Sequence, residues 1–345
     1  MNERARGALL GLAVGDALGT TYEFERLEQP PYPTLATRPA TDIVGAGPFG
    51  LKPGQITDDT QLAVCLARSL EDRGGFDAAD VSRRYVAWMA EAFDIGNQTR
   101  GALSRIESSG DHLEGGLLTW RGSGHRAAGN GSLMRTAPLA VALADSPELI
   151  DAAIAESMLT HADPRCLLAC AAFDAAIAQS IRAGRTPGAG ASATDMLAAA
   201  RAALASGSAR LDDTWREFPG SERALIADAR AALEGDLAAA ESPDPGVYAP
   251  GFHLNGTAGF VRIAFRLAFW HLVHTRSWRD AVVDVASRGG DADTNGAIVG
   301  ALLGARDGES AIPEAWRLRV LGATQPGSAA WADAHHPRHL LGLAE

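Results

Sequence analysis

Two short segments place paired carboxylates beside hydroxyls. Thr57, Asp58, Asp59 and Thr60 stand before an apolar run, and Asp291, Asp293 and Thr294 follow Gly289 and Gly290 before another. Hard oxygen donors without neighbouring His or Cys suit Mg2+ or Mn2+ rather than zinc or copper. Adjacent residues at a helix start splay apart, so Asp58 and Asp59 can face different ions. Asp291 and Asp293, two apart in an extended turn, can face the same way. Four carboxylates match the charge of two divalent cations, and ions about 3.5–4 Å apart can clamp and polarise the oxygens of one substrate. A plainer reading stays open. Asp and Thr are common helix N-caps, and Asp58 with Gln61 has the spacing of a capping box.

A third cluster runs from Gly129 through Asn130, Gly131, Ser132 and Met134 to Arg135. Glycines allow close backbone approach, amides at a helix start bind phosphate, and Ser132 and Arg135 add donors. The alternative is an ordinary Asn-Gly turn before a helix. His161 stands near a helix end, as a substrate contact or a structural histidine. Residues 45–50 fit the spacing of a dinucleotide-binding loop, but Pro48 lies inside them and no strand–helix unit surrounds them, so they read as loop.

These segments need helices to hold them. Apolar periodicity predicts helices at 63–71, 79–92, 139–143, 149–159, 167–181, 221–237, 258–273 and 297–305. No alternating strand pattern recurs, so the expected class is all-α: a compact multi-helix bundle carrying a binuclear metal site. A first helix carries Gly7, Gly11, Gly15 and Gly19 at four-residue spacing. Each interior glycine costs about 1 kcal/mol relative to alanine, so this face implies close packing against another helix. Glu23 follows it. The proline-rich stretch 20–55 reads as a long loop and a lid over the site.

The expected organisation is one domain over 1–321, with a weakly patterned insertion or peripheral helix pair at 183–249 that opens on a Gly/Ala/Pro-rich connection, 183–192. A solvated tail at 322–345 carries His335, His336 and His339. The net charge of -11 disfavours a nucleic-acid partner. Three cysteines, Cys65, Cys166 and Cys170, form no disulfide framework, which points to a reducing cytoplasm. No apolar run reads as a bilayer span, and Asp16 breaks the one segment, 7–19, that resembles a signal sequence. A monomer is expected.

Taken together, the glycine-spaced segment 7–19 with Asp16, then Tyr22 to Phe24, Ile56 to Thr60, Asp94 to Arg100, Gly129 to Gly131 with Met134 and Arg135, Thr160 with His161, and Gly289 to Thr294 resemble the ADP-ribosylglycohydrolase family, which includes the dinitrogenase reductase-activating glycohydrolases. The likeness spans 3–182 and 255–321, is weak between them and stops before the tail. The resemblance implies an all-α hydrolase that removes ADP-ribose from a modified side chain, through an arginine-type or serine-type linkage, with two Mg2+ or Mn2+ ions. Thr57, Asp58, Asp59, Asp291, Asp293 and Thr294 would ligate the metals. Glu23, Asp58, Asp59 and Asp291 would be the catalytic carboxylates. Asn97, Gly129, Asn130, Gly131, Ser132, Met134, Arg135, His161, Gly289 and Gly290 would bind substrate. The nitrogenase-regulating members carry Asp where this chain has Asn97, and an amide cannot serve as a base near neutral pH. Asn97 then either positions substrate or marks a different linkage. Two further readings are an ADP-ribose-binding protein without turnover and a hydrolase of a non-protein ADP-ribosyl compound.

Overall fold

The computed structural model describes residues 2–25, 39–185 and 191–345. Residues 26–38, within the stretch read as a lid, and 186–190, within the Gly/Ala/Pro-rich connection, lie outside the described residues. The α-helices run in order α1 Glu3–Gly19, α2 Asp58–Arg73, α3 Ala78–Met89, α4 Asn97–Ser109, α5 Glu114–Gly122, α6 Ala137–Ala142, α7 Leu149–Met158 and α8 Pro164–Ala183. They continue with α9 Ala193–Thr214, α10 Gly220–Ala240, α11 Val261–His274, α12 Trp278–Ala286, α13 Ala292–Asp307, α14 Glu314–Gly322 and α15 Ala329–Ala334. A short antiparallel hairpin pairs Tyr248 with His253 and Ala249 with Phe252. The all-α expectation holds.

The centre is α1 against α13. The glycine face of α1 meets Gly296, Gly300 and Gly304 of α13, which repeat the same spacing. A Cβ on Gly11 or Gly15 would stand closer than 3.0 Å to the carbonyl oxygen of Gly300 or Gly296, and a Cβ on the α13 glycines would meet α1 in the same way. The two backbones touch, and no side chain fits between them. Every residue of α1 from Gly7 to Gly19 is buried, Asp16 included. A helix buried all round has no apolar stripe, and so periodicity defines it poorly.

Helix α8 corrects the reading that no segment is apolar and long enough for a bilayer. Its 20 residues contain an 18-residue window with a mean hydropathy of 1.4 and pass by length and composition, but 83% of that window is buried inside the protein. It is a core helix.

The region read as weakly patterned is a helix pair packed on α8. Ser192 and Asp195 form a reciprocal capping box at the start of α9, and Asp236 of α10 takes ion pairs from Arg262 and Arg266 of α11, each at 2.6 Å. Helices α4, α5 and α14 bury few residues; α4 buries only Thr99, Ala102, Leu103 and Ile106. That leaves little periodic signal to read.

The solvated tail is also corrected. Trp331 and Leu340 are buried, and Trp331 Nε1 donates to Trp88 O at 3.1 Å. The imidazoles of His335, His336 and His339 each pair with a backbone carbonyl, of Trp331, Ala323 and Asp333 respectively. The apolar residues on either side of the histidines, Trp331 and Leu340, bring the segment inside. Leu340→Ala is expected to destabilise the protein by about 2–4 kcal/mol in chemical denaturation, as for other fully buried leucines. A solvated tail would show no change.

Candidate active site

The close approach of α1 and α13 brings the C-terminal end of one beside the N-terminal end of the other. Asp16 and Glu23 arrive from α1 and the turn after it, and Asp293 and Thr294 from the first turn of α13. Thr57, Asp58 and Asp59 arrive at the start of α2 and Asp94 just before α4. Three helix N-termini therefore face one point, and their dipoles partly offset negative charge.

The capping reading fails here. Thr57 is the N-cap of α2 and Asp291 that of α13, and neither side chain makes a cap hydrogen bond. Gln61 instead accepts from Trp88 Nε1 at 2.8 Å. The cap of α2 comes from another helix. Asp16, fully buried, accepts from Thr57 N at 3.1 Å and Thr60 N at 3.2 Å, and from the hydroxyls of Thr57 and Thr60. Asp58 and Asp59 are thereby left for other work.

Around them the oxygens crowd. Thr57 Oγ1 lies 3.1 Å from Asp59 Oδ2 and 3.3 Å from Asp293 Oδ2, and Thr294 Oγ1 lies 3.3 Å from Asp59 Oδ2. Carboxylate oxygens of Glu23, Asp94 and Asp293 all lie within 4.8 Å of one another. Asn130 Nδ2 donates to Asp291 Oδ2 at 2.7 Å. Among the described residues, buried Glu23 Oε2 and Asp59 Oδ1 have no hydrogen-bond partner.

Burial pushes these acids up, and their mutual repulsion adds to it. Glu23 is pushed up to about 11 by burial, then by Asp293, Asp94, Asp291 and Asp58. Asp94 is raised to about 7 by burial and then Asp16 and Asp291, and Asp16 to about 6 by burial. Asp58, Asp59 and Asp293 are held well above the carboxylate range, again by burial first. Such a cluster does not hold its full charge without cations.

The acids form the floor of a cavity of about 240 Å³ whose walls include Phe24, Gln98, Gly129, Met134 and His161. Among the described residues no Lys or Arg lines it. A larger open groove of about 620 Å³ between α4 and α5 carries Ser104, Arg105 and Glu114 without any carboxylate cluster, so size does not mark the site.

A family model described as ADP-ribosylglycohydrolase matches residues 1–341. The chain belongs to this family. The match includes the helix pair α9–α10 and most of the segment read as a tail, so the likeness extends further than the sequence words alone suggest. The chain is 29% identical to an ADP-ribosylarginine hydrolase of Serratia proteamaculans over 327 residues, 91% of this chain and 74% of that one. It is 29% identical over 322 residues to the ADP-ribosyl-(dinitrogen reductase) glycohydrolase of Rhodospirillum rubrum, covering 93% and 91%. A solved structure described as an ADP-ribosylglycohydrolase-related protein complex superposes with a TM-score of 0.68 at 30% identity, covering 100% of this chain and 99% of that one. The protein is a hydrolase of glycosidic bonds, and its buried acidic cluster is of a kind that can hold metal.

In this ADP-ribosylglycohydrolase the structure brings Glu23, Asp58, Asp291, Asp293, Thr294, Asn97, Gly129, Asn130, Gly131, Met134 and His161 to one cavity. Thr57 and Asp59 lie buried in the same cluster. Ser132 and Arg135 do not line the groove. Ser132 Oγ accepts from Ser157 Oγ at 2.8 Å inside the core, and Arg135 is fully buried on Glu156. Gly289 and Gly290 are not cavity walls either. Gly290 O accepts from Phe24 N at 2.7 Å and Gly290 N donates to Glu25 O at 2.9 Å, which ties the Glu23 segment to α13. Phe24 holds φ 60, uncommon for a bulky residue, across that tie.

Asp94 and Asp16 lie in segments that carry the family resemblance, but neither is among the site residues that the sequence assigns. Asp94 carried the same signal as the other clusters, an acid just ahead of a helix start. Asp16 carried none beyond a charge inside an apolar helix. Asn97 is exposed at the first turn of α4, and the carboxylate that reaches the cluster from this segment is Asp94.

Proposed function

We propose that this ADP-ribosylglycohydrolase removes ADP-ribose from an ADP-ribosylated protein side chain, arginine-linked in the first instance, with two Mg2+ or Mn2+ ions. The observation that carries the reading is the buried carboxylate cluster, which among the described residues has unpartnered oxygens and no Lys or Arg on the cavity wall. Such donors fit hard divalent cations. Thr57, Asp58, Asp59, Asp291, Asp293 and Thr294 would hold them, with Glu23 and Asp94 close by. When bound, the ions supply Lewis acidity and neutralise the cluster. The likeness to an ADP-ribosylarginine hydrolase favours arginine. Three buried, unpaired cysteines fit a reducing cytoplasm.

The chain itself supplies the surroundings of the reacting carbon. Cleavage at an anomeric centre passes through an oxocarbenium-like state, which nearby carboxylates stabilise. Glu23, with one buried oxygen that has no partner among the described residues, is the group for that charge or for a proton taken from water. Asn130 fixes Asp291, and the Gly129–Gly131 backbone lets the sugar approach closely. The test is ADP-ribose release from arginine-linked and serine-linked peptides with Mg2+, with Mn2+ and with chelator. Metal-dependent release from the arginine peptide is expected. Binding of ADP-ribose without release from either peptide would make the protein a reader instead.

Asn97 does not decide the chemistry in this reading. Asn97→Asp is expected to change kcat/KM by less than about tenfold, whereas Asp94→Asn should lower it by about a hundredfold or more, the reach of a positioned acid–base or ligand group. The opposite order in steady-state kinetics would return the role to position 97.

A further inference from the structure

One buried ion pair takes no part in the mechanism above. Arg135 and Glu156 are both fully buried, with Arg135 Nε donating to Glu156 Oε1 at 2.7 Å. Tyr85 OH donates to the same oxygen at 2.6 Å, and the guanidinium lies over the Tyr85 ring, 4.6 Å from its centroid. A buried pair of this kind adds little stability over apolar packing of equal volume, so what it holds in place is informative. Its free end points at Thr160. Arg135 Nη2 donates to Thr160 Oγ1 at 2.8 Å, and the same hydroxyl lies 2.7 Å from His161 Nδ1.

These contacts fix a tautomer. A guanidinium has donors only, so Thr160 Oγ1 must accept from it. Among the described residues the hydroxyl hydrogen has no acceptor other than His161 Nδ1, and leaving it unmade in the interior would be costly. Nδ1 therefore accepts, and the single proton of a neutral imidazole sits on Nε2. Burial, then the Arg135 charge, holds His161 well below its ordinary value, so the ring is neutral. The ring forms part of the cavity wall, packed against Gly131, where a Cβ would stand 2.9 Å from its Cε1. Among the described residues Nε2 pairs with no protein acceptor.

We propose that Glu156, Arg135 and Thr160 are positioning residues that hold His161 as the Nε2–H tautomer, a neutral donor aimed from the cavity wall at an oxygen of the bound ADP-ribosyl group. The donor half rests on the functional reading above; the tautomer half does not. Arg135 then serves the substrate through Thr160 and His161, without touching it. In a cavity floored by carboxylates, a neutral donor binds an acceptor oxygen without adding a second charge that would pair with the acids.

Nitrogen-15 histidine NMR of the full chain tests this, with His161 assigned from a His161→Gln spectrum. At neutral pH the wild type should show a pyridine-type Nδ1 and a pyrrole-type Nε2. Thr160→Val should lose that preference and weaken ADP-ribose binding in calorimetry by about tenfold, one hydrogen bond's worth. Thr160→Ser should restore both. A pyrrole-type Nδ1 in the wild type, or unchanged tautomer and affinity in Thr160→Val, overturns the relay. Should Thr160→Val not fold, the wild-type spectrum and Thr160→Ser decide. A wild-type Nε2–H ring in a protein that does not bind ADP-ribose would overturn the functional reading and the donor role while leaving the tautomer relay standing.

Discussion

Asp59→Asn is expected to abolish metal-dependent ADP-ribose release and, in the same protein, to leave the metal-free fold as stable as the wild type or more so. Asp59 is fully buried, and among the described residues its Oδ1 has no partner while its Oδ2 faces the hydroxyls of Thr57 and Thr294. An amide keeps an oxygen for those hydroxyls but removes a charge that burial, then Asp293 and Asp16, disfavours. Loss of a metal-binding or transition-state group should lower turnover by about a hundredfold or more. In the wild type, Mg2+ at 100 times its Kd should add about 2.7 kcal/mol of stability, read as a rise in Tm. The variant should lose that rise. A variant destabilised in chelator, with its Mg2+ response intact, would mean that Asp59 is a structural hydrogen-bond acceptor.

The pH dependence in chelator has a definite sign. Asp94 raised to about 7 and Asp16 to about 6 bind protons more tightly in the folded chain than in the unfolded one. Their contribution is complete below the unfolded value of about 4 and is lost as pH rises through the folded values. Metal-free protein should thus lose stability as pH rises from about 4 to about 7. Saturating Mg2+ should flatten that slope, because the ions favour the ionised carboxylates.

The second large effect is on folding. Gly15→Ala adds one methyl group where α1 touches the backbone of α13. Alanine gains about 1 kcal/mol of helix propensity over glycine. Overpacking a core costs about 1–3 kcal/mol, and occasionally more, where side chains can move. Here the obstacle is the carbonyl of Gly296, which moves only with its helix. The steric term should win, giving a net loss of about 2 kcal/mol or more in chemical denaturation. Activity should fall with it, since the same two helices carry Asp16 and Asp293. Gly235→Ala is the matched control. Gly235 lies inside α10 with open space where its Cβ would stand, so that substitution should stabilise by up to about 1 kcal/mol. Equal signs for the two variants would refute the close-contact account.

Sequence alone determined the local chemistry. Paired acids with hydroxyls ahead of helices state which ions would suit them, and glycines every four residues state that a helix face must lie against something flat. Both are properties of residue type and of spacing within one element, and they survive without knowledge of the neighbours. Most core helices were legible for the same reason, through their 3.6-residue period. Where an element is buried all round, like α1, or sparsely apolar, like α4, the period fades.

Tertiary structure decided which residues meet. Nothing in segment 7–19 says that its partner is α13, nor that Asp16 would cap α2 from another helix and release Asp58 and Asp59. Thr57 and Asp293 are 236 positions apart, yet their oxygens lie 3.3 Å from one another. Arg135 shows the same limit from the other side. Its place beside Asn130 and Gly131 suggested a substrate contact, and the fold turned its guanidinium inward to Glu156. Local spacing sets the direction a side chain leaves its own backbone. Whether that direction meets solvent, substrate or core depends on which backbones pack, and the packing here was set by glycine faces that only become specific once both are in contact.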